Sequence, residues 1–378
     1  MKKYLLQIVL FFIVFSGVFF FFHGNRKKDL SDSDQSAPSF AALSVQGKTM
    51  GTVWSARVFS GDLSWNEDRI RKIIQDTLDH VDRLMSTYKE DSELSRFNQW
   101  KSTEWFPVSP EMLFVLDRAL EISKKSEGAF DITVGPVVNL WKFGPDKQPL
   151  AEIPSEETIQ AILRKVGYQK LEIRREDPPA VRKTEPDLYV DLSAIAKGYA
   201  VDQATEALKK EKITDFMVEV GGEIRCAGQK SLSPPQKGRS PWILGIEEPR
   251  IAGSDRDVVL YRTLPLSDRS LATSGDYRNY RKIGKNRFSH LIDPRTGRPV
   301  EFLSENEKEG DKKRLGSVSV VLDSCTDADA WATAFFVLGP ERGVEIADKY
   351  GIPVLFLRRI GGSEAQKIES IPSKNFSY

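Results

Sequence analysis

The sequence predicts an α+β fold, and three observations carry that prediction. Helical and strand-like patterns mix along the chain without strict strand–helix–strand alternation. Gly221–Gly222 sits between two short apolar runs, 216–220 and 223–226, which signals a hairpin and hence antiparallel pairing. Neither GxGxxG nor GxxxxGK[ST] occurs, so the two glycine-rich phosphate loops of doubly wound sheets have no counterpart here.

In chain order, residues 52–59 alternate as a strand does. Ile70, Ile73, Ile74, Leu78, Val81, Leu84 and Met85 recur at helical spacing, which predicts an amphipathic helix over 66–85 with His80 off its apolar stripe. Residues 86–99 read as a polar stretch that carries the aromatic Tyr88. Ser109 as N-cap with Pro110 at the first helical position opens a helix that ends near Gly128. Pro154–Ser155 opens a third, closed by Gly167. Residues 187–192 read as a strand running into a helix over about 197–209, and 242–246, 318–322 and 354–357 as further strands. Residues 229–240 and 303–314 are polar or charged loops. In 323–339 an acidic, hydroxyl-rich start turns into an apolar helix that stops at Gly339–Pro340.

The chain of 378 residues, 40% hydrophobic, suffices for one large domain or two lobes with a sizeable core. A net charge of +1 gives no electrostatic footprint for nucleic acid. Two distant cysteines, Cys226 and Cys325, allow one bridge at most and form no zinc pattern. Residues 4–22 are an unbroken apolar and aromatic run between Lys2–Lys3 and Arg26–Lys27–Lys28, about as long as the bilayer core is thick. No small-x-small cleavage site follows and no nearby Cys can carry a lipid, so the expectation is an uncleaved single-pass anchor in the cytoplasmic (inner) membrane, with the catalytic part periplasmic. A cleaved signal is the alternative. The expected organisation is therefore 1–28 anchor or signal, 29–39 disordered linker, 40–360 globular domain and 361–378 polar tail.

Candidate chemistry lies in five stretches. Asp329 and Thr333 are four apart, so a helix stacks them on one face as hard oxygen ligands of the kind Mg²⁺ takes. Thr326 to Asp329 equally has the form of a capping box. Asp131 follows Phe130 just past a helix end, where a turn-forming role is usual. In 190–202 an Asp ends the strand and Lys197 begins the helix. A cation is unfavourable there, so either an anion lies nearby or the side chain is solvated. Residues 270–280 read as a small-residue turn open to a ligand. Residues 288–300 hold His290 before the turn residues Asp293–Pro294 and Thr296–Gly297. His23 and His80 lie elsewhere, so a histidine base, if one is used, is His290.

Together and in this order, Met50–Gly51–Thr52, Tyr88, GAFDITVGP, VDLSAIAKGYAVD, VEVGGEI, TSGDY, SHLIDPRTG and ADAWATAFFVLG resemble the ApbE family of FAD:protein FMN transferases, over roughly 49–339. The resemblance implies a two-lobed α+β domain holding FAD between its lobes with Mg²⁺ at the pyrophosphate. It implies FAD contacts at Met50, Tyr88, Ala129, Phe130, Asp131, Asp191, Lys197 and Ile292. It implies metal ligation by Asp329, Thr333 and the backbone carbonyl of Ala194, with His290 and Asp329 as the catalytic positions. Many members have Gly-Gly where this chain has Ser193–Ala194, and many are lipoproteins. The implied reaction is phosphoryl transfer to a Thr or Ser of an acceptor protein, with AMP released. The implied acceptors are extracytoplasmic domains of membrane redox complexes or flavin-carrying proteins. Water as acceptor would make the same site an FAD pyrophosphatase, and a silent site would make it a flavin-binding protein.

Overall fold

The computed structural model describes residues 41–378 except 63, 146–149, 151, 232–238, 251–257, 277–278, 284–285, 301, 304–312 and 362–366. The expected membrane anchor and linker lie outside the described residues. Among the described residues no helix is long and apolar enough to cross a membrane.

The organising element is one eight-stranded sheet, antiparallel at every pairing. Its spatial order is Ala41–Thr49, Thr52–Ser60, Asp215–Val220, Glu223–Ala227, Ser270–Gly275, Lys313–Leu322, Val354–Ile360 and Lys367–Pro372. Among the described residues seven α-helices accompany it: α1 Glu67–Met85, α2 Glu93–Gln99, α3 Pro110–Lys125, α4 Gly135–Leu140, α5 Glu156–Leu163, α6 Ala196–Lys210 and α7 Cys325–Tyr350. The α+β prediction holds.

Alternation along the strands makes two cores, since successive side chains point to opposite faces. Phe216, Val218, Ala272, Val320, Val354 and Phe356 face α1, α6 and α7 in the main core. Met217, Leu271, Val321, Leu355 and Leu357 face the other way, under the hairpin Trp242–Glu247 and Leu260–Leu266. A separate, smaller core gathers Val137, Trp141, Ile159, Phe288 and Ile292. Its α4 and the turn after Asp293 are tied together by Trp141 Nε1 donating to the Gly297 carbonyl at 2.8 Å.

Two helix starts follow the residues read from the sequence as opening them, Ser109 and Ser155, and Asn66 caps α1 in the same way. Asn66, Ser109 and Ser155 each accept the N–H three residues on. The Gly339–Pro340 break is real, with Gly339 at φ 72°, but a second helical stretch continues beyond it to Tyr350. A Gly at positive φ lets the chain turn, and the Pro then restarts a helix at a position where its missing N–H costs nothing.

Four local readings are corrected. Residues 187–192 form no strand. The Asn98 side chain bonds this backbone instead, donating to the Val190 carbonyl and accepting the Val190 N–H, both at 2.8 Å. The stretch 86–99, read only as polar, holds α2 with Ser92 as its cap. Residues 270–275 are not a turn but an inner strand of the main sheet, where small residues fit under α7. The polar C-terminal stretch supplies the edge strand Lys367–Pro372 and buries Phe376.

Candidate active site

The starts of α6 and α7 meet, and glycine makes the meeting possible. A Cβ at Gly198 would lie 2.2 Å from the Cys325 carbonyl oxygen and 2.8 Å from the Asp329 Cβ. The contact lets the Gly198 N–H donate to Asp329 Oδ2 at 2.9 Å. In a regular helix that N–H would bond the carbonyl four residues back, which belongs to Ala194. The Ala196 N–H bonds back to Leu192 and the Tyr199 N–H to Ile195, so the ladder skips Gly198 and no backbone donor among the described residues occupies Ala194.

The α7 cap differs from the sequence reading. Ser324, not Thr326, accepts the Asp327 N–H. Thr326 instead donates its hydroxyl and its N–H to Asp202 of α6, at 2.7 and 2.9 Å. Asp202 also accepts from Cys325 N and from Arg225. A carboxylate at a helix N-terminus meets free N–H groups and the positive end of the dipole. Asp329 is thereby released from any capping duty. Both cysteines are free and buried.

Asp329 is 3% exposed, and buried carboxylates require partners. Beyond Gly198 it has Lys197 Nζ, 3.5 Å from Oδ1. Lys197 is held more closely by Glu223, at 2.7 Å from Oε1. The anion near Lys197 is thus a pair of protein carboxylates. Burial alone would lower the Lys197 pKa, but Asp329 and then Glu223 raise it, so the ammonium stays charged. Burial pushes the Glu223 carboxyl up, against the pull of Lys197 and with a further push from Asp329. One turn along α7, the Thr333 hydroxyl lies 3.3 Å from Ser274 Oγ on the neighbouring strand.

Other matched segments converge on the same place. Met50 and Gly51 form the two-residue turn of the first hairpin, both at positive φ as a type I′ turn requires. Thr52 and the Lys197 side chain both border Gly221. The Asp191 N–H donates to the Ile132 carbonyl at 2.7 Å, joining the GAFDITVGP segment to the approach to α6. Tyr88 is exposed, and desolvation followed by the Asp191 charge raises its hydroxyl pKa.

His290 is half-buried. Its Nδ1 lies 2.9 Å from the Asn279 carbonyl, and Phe143 meets its ring edge-on at 6.3 Å. Burial lowers its pKa despite the Asn279 bond, with Lys197 adding to the depression and Asp276 opposing it.

Several expected contacts face inward. Ala129 and Phe130 are buried, the latter in the main core. The Asp131 carboxylate accepts from Thr133 N, Thr133 Oγ1 and Tyr168 N, the turn-forming role its position suggested. Ile292 belongs to the small core. Glu223 and Gly198 were not singled out by sequence. An acidic residue inside an apolar hairpin is the signal for Glu223, because a buried charge demands a partner.

The Asp329, Thr333 and Ala194 oxygens suit Mg²⁺, which takes hard oxygen ligands and keeps several waters. Among the described residues there is no cluster of three His, Cys, Asp or Glu. This donor set needs none, since it combines one carboxylate, one hydroxyl and one carbonyl.

A model of the ApbE family matches residues 50–356. An FAD:protein FMN transferase of Escherichia coli (strain K12) is 38% identical over 320 residues, covering 84% of this chain and 85% of the relative. One from Vibrio cholerae is 39% identical over 313 residues, covering 83% and 86%. Among solved structures, the flavin transferase ApbE from Vibrio cholerae superposes with a TM-score of 0.75 at 36% identity, covering 89% of this chain and 99% of that one. The apo flavinyl transferase ApbE of Pseudomonas stutzeri gives 0.73 at 31%, covering 89% and 96%.

Proposed function

The chain belongs to the ApbE family and is an FAD:protein FMN transferase, and from that premise we propose a Mg²⁺-dependent transfer of FMN to a Thr or Ser of an extracytoplasmic acceptor protein, with release of AMP. The observation that carries the metal is the Gly198 N–H, which bonds Asp329 rather than the Ala194 carbonyl four residues back, so that no backbone N–H among the described residues occupies that carbonyl.

Asp329, Thr333 and the Ala194 carbonyl would hold the ion. When bound, it supplies neutralisation of the pyrophosphate charge. Lys197 brings a second positive charge to the same place. Met50, Tyr88, Asp191 and Ile292, with the backbone of 129–131, are the FAD contacts in this reading. The carbonyl of Asn279 can only accept, so His290 carries its proton on Nδ1 and keeps Nε2 bare. Nε2 takes the proton of the acceptor hydroxyl. The hydroxyl oxygen bonds to the FMN-side phosphorus, the bond from that phosphorus to the bridging oxygen breaks, and AMP departs with that oxygen.

The acceptor belongs to a membrane redox complex or a flavin-carrying protein, which a chain anchored through residues 4–22 meets at the outer face of the cytoplasmic membrane. The test is incubation of the purified protein with FAD, Mg²⁺ and such an acceptor, reading in-gel flavin fluorescence and AMP together. Both signals, dependent on Mg²⁺, support the reading. AMP without covalent fluorescence makes the chain a pyrophosphatase, and neither signal leaves only a flavin binder.

A further inference from the structure

We propose that Glu223 is a positioning residue for the metal site: it holds the Lys197 ammonium so that Asp329 is left available to a divalent cation. This rests on the reading of Asp329 as a metal ligand.

Two buried carboxylates share one ammonium, and they share it unequally. Lys197 Nζ lies 2.7 Å from Glu223 Oε1 and 3.5 Å from Asp329 Oδ1. The shorter contact is a full charge-assisted hydrogen bond, whereas the longer one is at the edge of bonding distance. Asp329 Oδ2 is fixed by the Gly198 N–H, so Oδ1 is the oxygen that Lys197 and a cation would contest. Glu223 has room to hold the lysine more fully, because its second oxygen, Oε2, is buried without a hydrogen-bond partner among the described residues. The side chain cannot drift, since Glu223 opposes Val220 next to the Gly221–Gly222 turn and is 4% exposed. Lys197 thus stands near Asp329 when no metal is bound and has an anchor to retreat to when metal arrives. Without Glu223, Asp329 is the only carboxylate among the described residues that remains paired with the ammonium, and the lysine competes with the metal for it.

The experiment is Mn²⁺ binding to the full-length protein, read from the electron paramagnetic resonance of free Mn²⁺ and independent of turnover. Glu223→Gln is expected to weaken Mn²⁺ binding about tenfold or more, in the range of outer-shell changes at metal sites. The double variant Lys197→Met/Glu223→Gln is expected to recover binding, because the competing ammonium is gone. Lys197→Met alone should bind Mn²⁺ at least as tightly as the parent, and it tests the idea even where Glu223→Gln fails to fold. Wild-type affinity in Glu223→Gln, no recovery in the double variant, or weakened binding in Lys197→Met each overturns the proposal. Asp329→Asn separates the premise: Mn²⁺ binding undiminished in that variant removes the metal reading itself, whatever Glu223 does.

Discussion

His290 Nδ1 and the Asn279 carbonyl oxygen are 2.9 Å apart, and that bond assigns the imidazole tautomer. A carbonyl has no proton to give, so Nδ1 donates and Nε2 is the basic nitrogen. The ring is also half-buried, which favours its neutral form.

His290→Ala is therefore expected to slow FMN transfer at saturating FAD and acceptor by about 10²–10⁴-fold, the usual worth of a positioned base. FAD affinity should change far less, by about 0.5–1.5 kcal/mol for one neutral contact. Single-turnover rates beside fluorescence titration with FAD check both. A near-normal saturated rate with poor FAD binding would leave His290 as a cofactor contact.

The depressed His290 pKa sets the acid limb of the pH profile. The folded protein binds this proton less tightly than an ordinary histidine with a value of 6.5. The base form consequently persists below that pH, and the rate should fall only as the pH drops through the lower folded value. Stability falls as well while the pH drops from 6.5 to that lower value, where the unfolded chain holds the proton and the folded one does not. An acid-side break in the rate above 6.5 would assign the limb to another group.

Asp329→Ala should abolish Mg²⁺-dependent turnover in a protein that still folds. Its stability should drop by about 1–3 kcal/mol, because the Gly198 N–H is left buried and unpaired. Melting temperature and transfer rate on the same preparation decide the matter. A destabilised but fully active variant would confine Asp329 to a structural role.

Gly198→Ala runs against helix propensity, which by itself would favour Ala by about 1 kcal/mol. Here the new methyl meets the Cys325 backbone carbonyl at 2.2 Å. A backbone carbonyl cannot rotate away, so α6 and α7 must separate, at a cost of about 1–3 kcal/mol for overpacking. We expect a lower melting temperature together with weakened Mn²⁺ binding. A stabilised variant with full metal affinity would show that the helix contact is dispensable.

The mature protein is expected to keep residues 4–22. N-terminal sequencing of membrane-extracted material tests this, and a first residue beyond Gly24 would mean a cleaved signal.

The sequence by itself determined the fold class, the starts of α3 and α5 at Ser109 and Ser155, the break at Gly339 and, through the order of its motifs, the family. These are local or nearly local properties: a cap residue bonds an N–H three positions on, and periodicity is read within one element. The sequence also placed Asp329 and Thr333 on one helical face while leaving open whether Asp329 caps or coordinates. Only the tertiary structure showed that Asp329 is not the cap. Asp202, from a helix more than a hundred residues earlier, fills the N-terminus of α7. Gly198, also on α6, brings its N–H to Asp329. The same holds for Val190, whose backbone is bonded by the Asn98 side chain rather than by a strand, and for Lys197, whose anions come from a hairpin and a distant helix. Each is a contact between segments far apart in the chain. Close approach of two backbones and pairing of buried charges depend on where the elements pack, which no window of sequence encodes.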